Sequence, residues 1–376
     1  GQGYVLSLPT RGKALAVVDG APGLVDGTDG TAFVLHHVPD DDPSDDDPNG
    51  TACATWPEVS TNTVGEPGPT GQSPASEVEG YFEAHLHGMA FEFLGGEVRC
   101  GRPWHRYGVE HALPDCIEDG KLGNTLNEAV QTGYDPSGYD PVGWPTFESW
   151  PHEDLLTHEQ WYWKWLERAH HGGLRLMTNL LVENTSLCQI YPLKRNSCNE
   201  MDSVRLQAER LHEMQDYIDA QSGGPGEGWF RIVTTPAQAR EVIHAGRLAV
   251  VLGIEVSVLF DCGERFGEPQ CTAEDIDRRV DEAHDMGVRQ IELINKFDNA
   301  LSGVAGDAGT TGVVVNQGNR QVTGHYWDMR TCPEEAADGH EHGIEGTQHD
   351  KTQMNPSDDT PLGEAGGDVL AAAILN

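Results

Sequence analysis

Residues 229–257 read WFRIVTTPAQAREVIHAGRLAVVLGIEVS, and this stretch sets the class of fold. WFRIV (229–233) is a short apolar strand. Pro236 then opens a helix, PAQAREVIHAG, in the position where its missing N–H costs nothing. RLAVVLGIEVS (247–257) follows as a second strand, apolar throughout until Glu255. Strand, helix and strand in so few residues make a βαβ unit, and a strand apolar on both faces belongs inside a parallel sheet.

The same alternation extends both ways. YFEAHLHGM (81–89) reads as a strand ending in His. THEQWYWKWLERAHH (157–171) reads as a helix capped by Thr157 and stopped at Gly172–Gly173, with Trp161 and Trp165 on one core-facing side. LRLMTNLLVEN (174–184) is a buried strand. Residues 199–220 are helical, with Val204, Ala208, Leu211 and Ile218 at three- to four-residue spacing. Downstream, Thr272 caps TAEDIDRRVDEAHDMG with Asp275 at the third helical position, and VRQIELI (288–294) is the next strand. The expected fold is therefore α/β; four such units do not close an eight-stranded barrel, so either the sheet is open or, as favoured here, the arrangement is (β/α) TIM-barrel-like and holds the first half of a barrel.

Outside this frame the composition changes. Residues 1–39 carry short β patterns and read as a small β module. Residues 40–78 form an acidic, Pro-rich linker around DDDPSDDDPNG, a solvated loop with calcium binding as the sharper alternative. The barrel is expected over 79–376, with long irregular insertions at 92–156 and 303–367. His170–His171 end a helix, where the dipole favours positive charge. His340, His342 and His349 read as loop residues.

The chain has 376 residues with 24 Lys+Arg against 61 Asp+Glu, a net charge of −37. Such a surface excludes nucleic acid and anionic membranes as partners, because both demand net cation. No apolar run reaches the ~20 residues of a membrane span. The eight Cys contain no C-x-x-C, and Cys100/Cys116, Cys188/Cys198 and Cys262/Cys271 lie close in sequence. Short loop-closing disulfides follow, and with them an oxidising, extracellular or cell-surface location.

Three rim positions carry the candidate chemistry. His85 and His87, two apart on a strand, point to one face and can share one divalent metal, with zinc the best match for neutral imidazole. Glu255 stands where an apolar strand leaves the core, and a buried carboxylate needs a cation or donors. Asn295 and Lys296 follow the next strand, where they can contact a substrate's oxyanion or carboxylate. In a parallel sheet all these strand ends lie on one side, so a shared metal site is expected there.

Taken together, WFRIVTTPAQAREVIHAGRLAVVLGIEVS and MGVRQIELINKFDNALSG resemble the membrane dipeptidase (renal dipeptidase-like) branch of the metal-dependent amidohydrolases. The resemblance covers mainly 81–87 and 174–303. It implies an eight-stranded barrel with two zinc ions and a metal-bound hydroxide that cleaves the amide bond of a small peptide-like substrate. Glu255 matches the carboxylate that bridges the metals, and His85 matches the first ligand. His87 falls where the branch usually has Asp. Asn295 falls where it usually has a substrate-binding His, and Lys296 is adjacent. The later ligands of the family, two His and one Asp, find no counterparts before Asn376. A downstream segment or second chain completing the barrel is therefore expected, as in large secreted bacterial proteins with accessory domains, and this chain alone is expected not to turn over. The sequence leaves a homo-oligomer open. It also leaves open a different class of function, a non-catalytic extracellular binding or self-assembling protein on a degenerate barrel scaffold.

Overall fold

A computed structural model describes residues 4–8, 13–34, 77–97, 101–113, 161–191, 193–304 and 309–327. The chain divides into two compact units, Gly1–Thr55 and Trp56–Asn376. The first holds short antiparallel strands: β1 (Tyr4–Val5), β2 (Ser7–Leu8), β3 (Lys13–Val18), β4 (Ala21–Asp26) and β5 (Ala32–Phe33). β2, β3 and β4 form one sheet, and β1 pairs with β5. Positive φ at Asp19 and Gly20 makes the tight turn between β3 and β4.

The second unit is built on a parallel sheet. Its strands are β6 (Tyr81–Leu86), β7 (Leu174–Glu183), β8 (Phe230–Ile232), β9 (Leu248–Val256) and β12 (Val288–Ile291), and the loop after β9 carries a separate antiparallel hairpin of β10 (Glu264–Arg265) and β11 (Glu268–Pro269). Along the main path they follow chain order, β6-β7-β9-β12, and every pairing is parallel. β8 pairs along the start of β9, from Phe230↔Leu248 to Ile232↔Val250, and β12 pairs further along it. Sequential parallel order is what successive right-handed βα units produce. The α/β reading of the sequence thus holds.

Helices fill the connections: α1 (Val109–Ala112), α2 (Trp163–His171), α3 (Thr185–Ile190), α4 (Glu200–Gln221), α5 (Pro236–His244), α6 (Ala273–Asp285) and α7 (Gly309–Thr323). The caps follow the sequence signals. Pro236 stands at the first helical position behind the Thr235 cap, and Thr272 with Asp275 forms a complete capping box. α4 lays Met201, Val204, Ala208, Leu211, Met214 and Ile218 against Met177, Leu181, Leu252, Ile254 and Val256 of the sheet, which is the main core.

Several expectations need correction. The helix read from Thr157 begins at Trp163, with Tyr162 at the N-cap position and no side-chain cap, and Thr157 itself lies outside the described residues. Trp161 precedes this helix and donates its indole N–H to Gly88 O at 2.9 Å. His170 is buried between Leu174 O and Gly246 O and stacks on Trp229, a packing role rather than a charge at a helix end. The strand read as 288–294 stops at Ile291. The stretch 303–367 is not wholly irregular, since α7 occupies 309–323. Likewise 92–156 contains a 3-10 turn over Ala90–Gly96 and the short α1. The acidic run 40–50, His340, His342, His349 and the Cys100/Cys116 pair lie outside the described residues. Cys188–Cys198 and Cys262–Cys271 are disulfides, as their spacing suggested.

One glycine lies at the centre of this packing. A Cβ on Gly253 would meet Leu180 Cδ2 at 2.5 Å and Thr178 Cγ2 at 3.2 Å. Both strands are buried there, so neither neighbour can give way freely. Gly253→Ala is expected to destabilise the fold by about 1–3 kcal/mol, read as a lower urea midpoint with unchanged slope. A midpoint equal to that of the unaltered protein would disprove this packing.

Candidate metal centre

Strand register brings the candidate ligands to one face. Val182 is opposite Glu255, Leu180 is opposite Gly253, and Leu86 is opposite Asn179. Side chains alternate along each strand, so Glu255, His85 and His87 leave the same face of the sheet at its carboxyl end. There Glu255 Oε2 lies 2.8 Å from His85 Nε2 and 2.5 Å from His87 Nε2, and the two nitrogens are 3.1 Å apart. Among the described residues this is the group of three whose ligand atoms converge as a metal site requires.

The position of His87 is secured by its neighbour. Gly88 N donates to Asn179 Oδ1 at 2.9 Å, and Gly88 O accepts from Trp161. A Cβ at Gly88 would stand 2.4 Å from Asn179 Oδ1. Glycine is thus needed for the loop to pass this close and hold the imidazole over Glu255. Asn179 and Trp161 are positioning residues that sequence reading did not identify.

The electrostatics agree with the geometry. Burial pushes the Glu255 carboxyl up, but the His87 hydrogen bond and the charges of both imidazoles outweigh it and hold the group below its ordinary value. His85 remains 56% exposed against 15% for His87 and 10% for Glu255, so one side of the cluster opens to solvent. The donor set fits zinc: two imidazoles and one carboxylate with an open side is a known pattern of hydrolytic sites. Tetrahedral zinc with bonds of ~2.0–2.1 Å spaces its ligand atoms ~3.3 Å apart, so each observed separation is short by less than ~1 Å.

A fourth residue, and the second carboxylate, belongs to this neighbourhood and was not singled out from sequence. Gln290 is opposite Gly253 and Ile291 opposite Ile254, so the next residue, Glu292, comes level with Glu255 and shares its face. Its N–H donates to Ile254 O at 2.9 Å. Burial and then the charge of Glu255 raise its pKa, while His85 and His87 act in the opposite sense.

Asn295 and Lys296 lie beyond β12 rather than at its end. Both are half-buried, and Lys296 N donates to Ser257 Oγ at 3.1 Å. Ser257 is two residues past Glu255, so the loop runs along the same rim. The contacts that draw His85, His87 and Glu255 together run among those three residues. No known protein family, curated protein or solved structure matches this chain. Among the described residues, no helix is long and apolar enough to cross a membrane.

Proposed function

We propose that the chain is a metal-dependent hydrolase of amide or peptide-like substrates, of the amidohydrolase type, with zinc at His85, His87 and Glu255. The observation that supports it most strongly is the single Glu255 oxygen within 2.8 Å of two imidazole nitrogens on another strand. Chain-order parallel strands with ligands at their carboxyl ends are consistent with the first half of an eight-stranded barrel. The two disulfides fit an oxidising compartment, and we place the protein outside the cell or at its surface.

When bound, one or two zinc ions would polarise a substrate carbonyl and lower the pKa of water to ~7. The residues divide the remaining work. Glu255 offsets the charge of the cation and takes part of its cost of burial. His87 is held in place through Gly88, and the exposed side of His85 admits substrate. Glu292, half-buried beside Glu255, is placed to take a proton from water and return it to the departing amine. Asn295 and Lys296 line the approach and contact substrate.

Zinc titration of the metal-stripped chain by calorimetry tests the site. One equivalent should bind with sub-micromolar affinity, and the zinc-loaded full-length protein should turn over a dipeptide amide and lose that activity with chelator. Absence of zinc uptake sinks the site. Uptake without turnover in the full-length protein sinks the hydrolase and leaves a binding protein.

A further inference from the structure

The sheet ladder gives out at the second carboxylate of the rim. β12 pairs with β9 as far as Ile291, and Glu292 adds one bond, from its N–H to Ile254 O at 2.9 Å. The chain there has little apolar anchorage. Ile291 is 37% and Leu293 56% exposed, so burial does not fix this extension. Hydrogen bonds must do so.

Asn299 reaches back from the loop that follows. It is buried, and its Nδ2 donates to Ser257 O at 2.8 Å and to Leu293 O at 2.9 Å. Leu293 is the residue after Glu292, and Ser257 lies two past Glu255. One amide group thus joins the extensions of β12 and β9 immediately beyond their carboxylates. Lys296 N adds a bond across the same gap, to Ser257 Oγ at 3.1 Å. Ser257 is itself fully buried, which makes it a fixed anchor.

The other half of the Asn299 amide shapes its own loop. Oδ1 accepts from Leu301 N at 2.8 Å and Ser302 N at 2.9 Å. Asp would serve such a turn equally well. Two donated and two accepted bonds exhaust what an amide can make, and they allow one orientation of the group. The turn therefore does not account for asparagine. The Nδ2 half does, since a carboxylate there would face two carbonyl oxygens.

We propose that Asn299 is a positioning residue: it clamps the chain beyond β12 to the chain beyond β9 and so keeps Glu292 level with Glu255. Without the clamp, the bond from Glu292 N to Ile254 O is left to fray, and the Glu292 carboxylate swings away from the rim. The kinetic consequence rests on the hydrolase reading above; the clamp itself does not.

The test compares Asn299→Asp with the unaltered protein. The substitution keeps the size and the turn, and it converts the clamp into a repulsion. Hydrogen exchange of the metal-stripped chain, followed by mass spectrometry, should show the amides of 288–296 at least ~10-fold faster relative to those of β7. In the zinc-loaded full-length protein, kcat for glycylglycinamide should fall ~10- to 100-fold at constant KM, the loss expected when a proton carrier shifts by ~1 Å. Zinc affinity should stay within ~3-fold, since the ligands themselves are held elsewhere. Ile243→Val, in the separate apolar cluster with Val233 and Ala249, lowers stability away from the rim and should leave both the exchange ratio and kcat as they were. An unchanged exchange ratio in Asn299→Asp, the same changes in Ile243→Val, or faster exchange with intact kcat each overturns the proposal. If the unaltered protein has no turnover, the hydrolase reading falls and the exchange ratio alone decides the clamp. If Asn299→Asp fails to fold, Asn299→Ser, which keeps a hydroxyl for the turn and loses the reach to both carbonyls, is read by the same measurements.

Discussion

At the proposed site, Glu255→Gln is expected to lower zinc affinity about a thousandfold. The estimate follows from the number of ligands. Zinc held by protein side chains contributes ~10–16 kcal/mol, so one ligand of three accounts for ~4 kcal/mol, or about three decades. Gln preserves the shape and one carbonyl oxygen but removes the charge that offsets the cation. His87→Ala should match it, because His87 is the less exposed imidazole and lies 2.5 Å from the carboxylate. Glu274→Gln, an exposed change in the first turn of α6, supplies the comparison and should leave zinc uptake as it was. Calorimetric titration measures all three. Unchanged affinity in both Glu255→Gln and His87→Ala would mean that the cluster is a salt bridge and nothing more.

The second large effect concerns pH. Glu183, the last residue of β7, is fully buried and accepts from Asn184 N at 2.9 Å and Leu94 N at 3.0 Å. Burial pushes its carboxyl up to about 7, and the nearby charge of Glu200 adds to this against those hydrogen bonds. Glu200 is itself pushed up to about 6 by burial. A folded-state pKa above the unfolded one means that the native state holds the proton more firmly. The associated stability is present below pH ~4.5, drains away as pH rises towards 7, and is gone above it. From pH 5 to pH 8 Glu183 alone should cost roughly 2.5 kcal/mol. Growing negative charge across the surface lowers stability over the same range, so the informative quantity is a difference. Urea unfolding of Glu183→Gln relative to the unaltered protein should shift in favour of the variant by about that amount between the two pH values. A pH-independent difference would contradict the buried, proton-holding carboxyl.

Where apolar periodicity or a cap governs, the sequence was legible. β7, β9, α4, α5 and α6 fall where their apolar runs and their Thr and Pro caps place them. The triad was legible too, because His-x-His and a Glu ending an apolar strand each violate the surrounding pattern. α7 was not, and its contacts show why. Its buried positions include Asn316, Asn319 and Thr323, tied to Trp327 N, Asp298 and His325 O. A helix fixed by polar bonds has no hydrophobic stripe to read. Glu292 escaped notice for another reason: in VRQIELI a lone Glu looks like a solvent-facing position, and only pairing with β9 sets it beside Glu255. Asn179 and Trp161 likewise acquire their role through a tertiary contact with Gly88.

Among the described residues both disulfides lie beyond strand ends, and neither crosses the sheet. Cys188–Cys198 ties the end of α3 to the approach of α4, and Cys262–Cys271 closes the loop that carries the hairpin with Glu264. Short loops of this kind restrict mainly the chain they enclose. The framework and the working edge of this protein therefore answer to different threats. A reductant would slacken the loop that carries this hairpin while the interior stayed packed, and heat or urea would have to dismantle the interior itself.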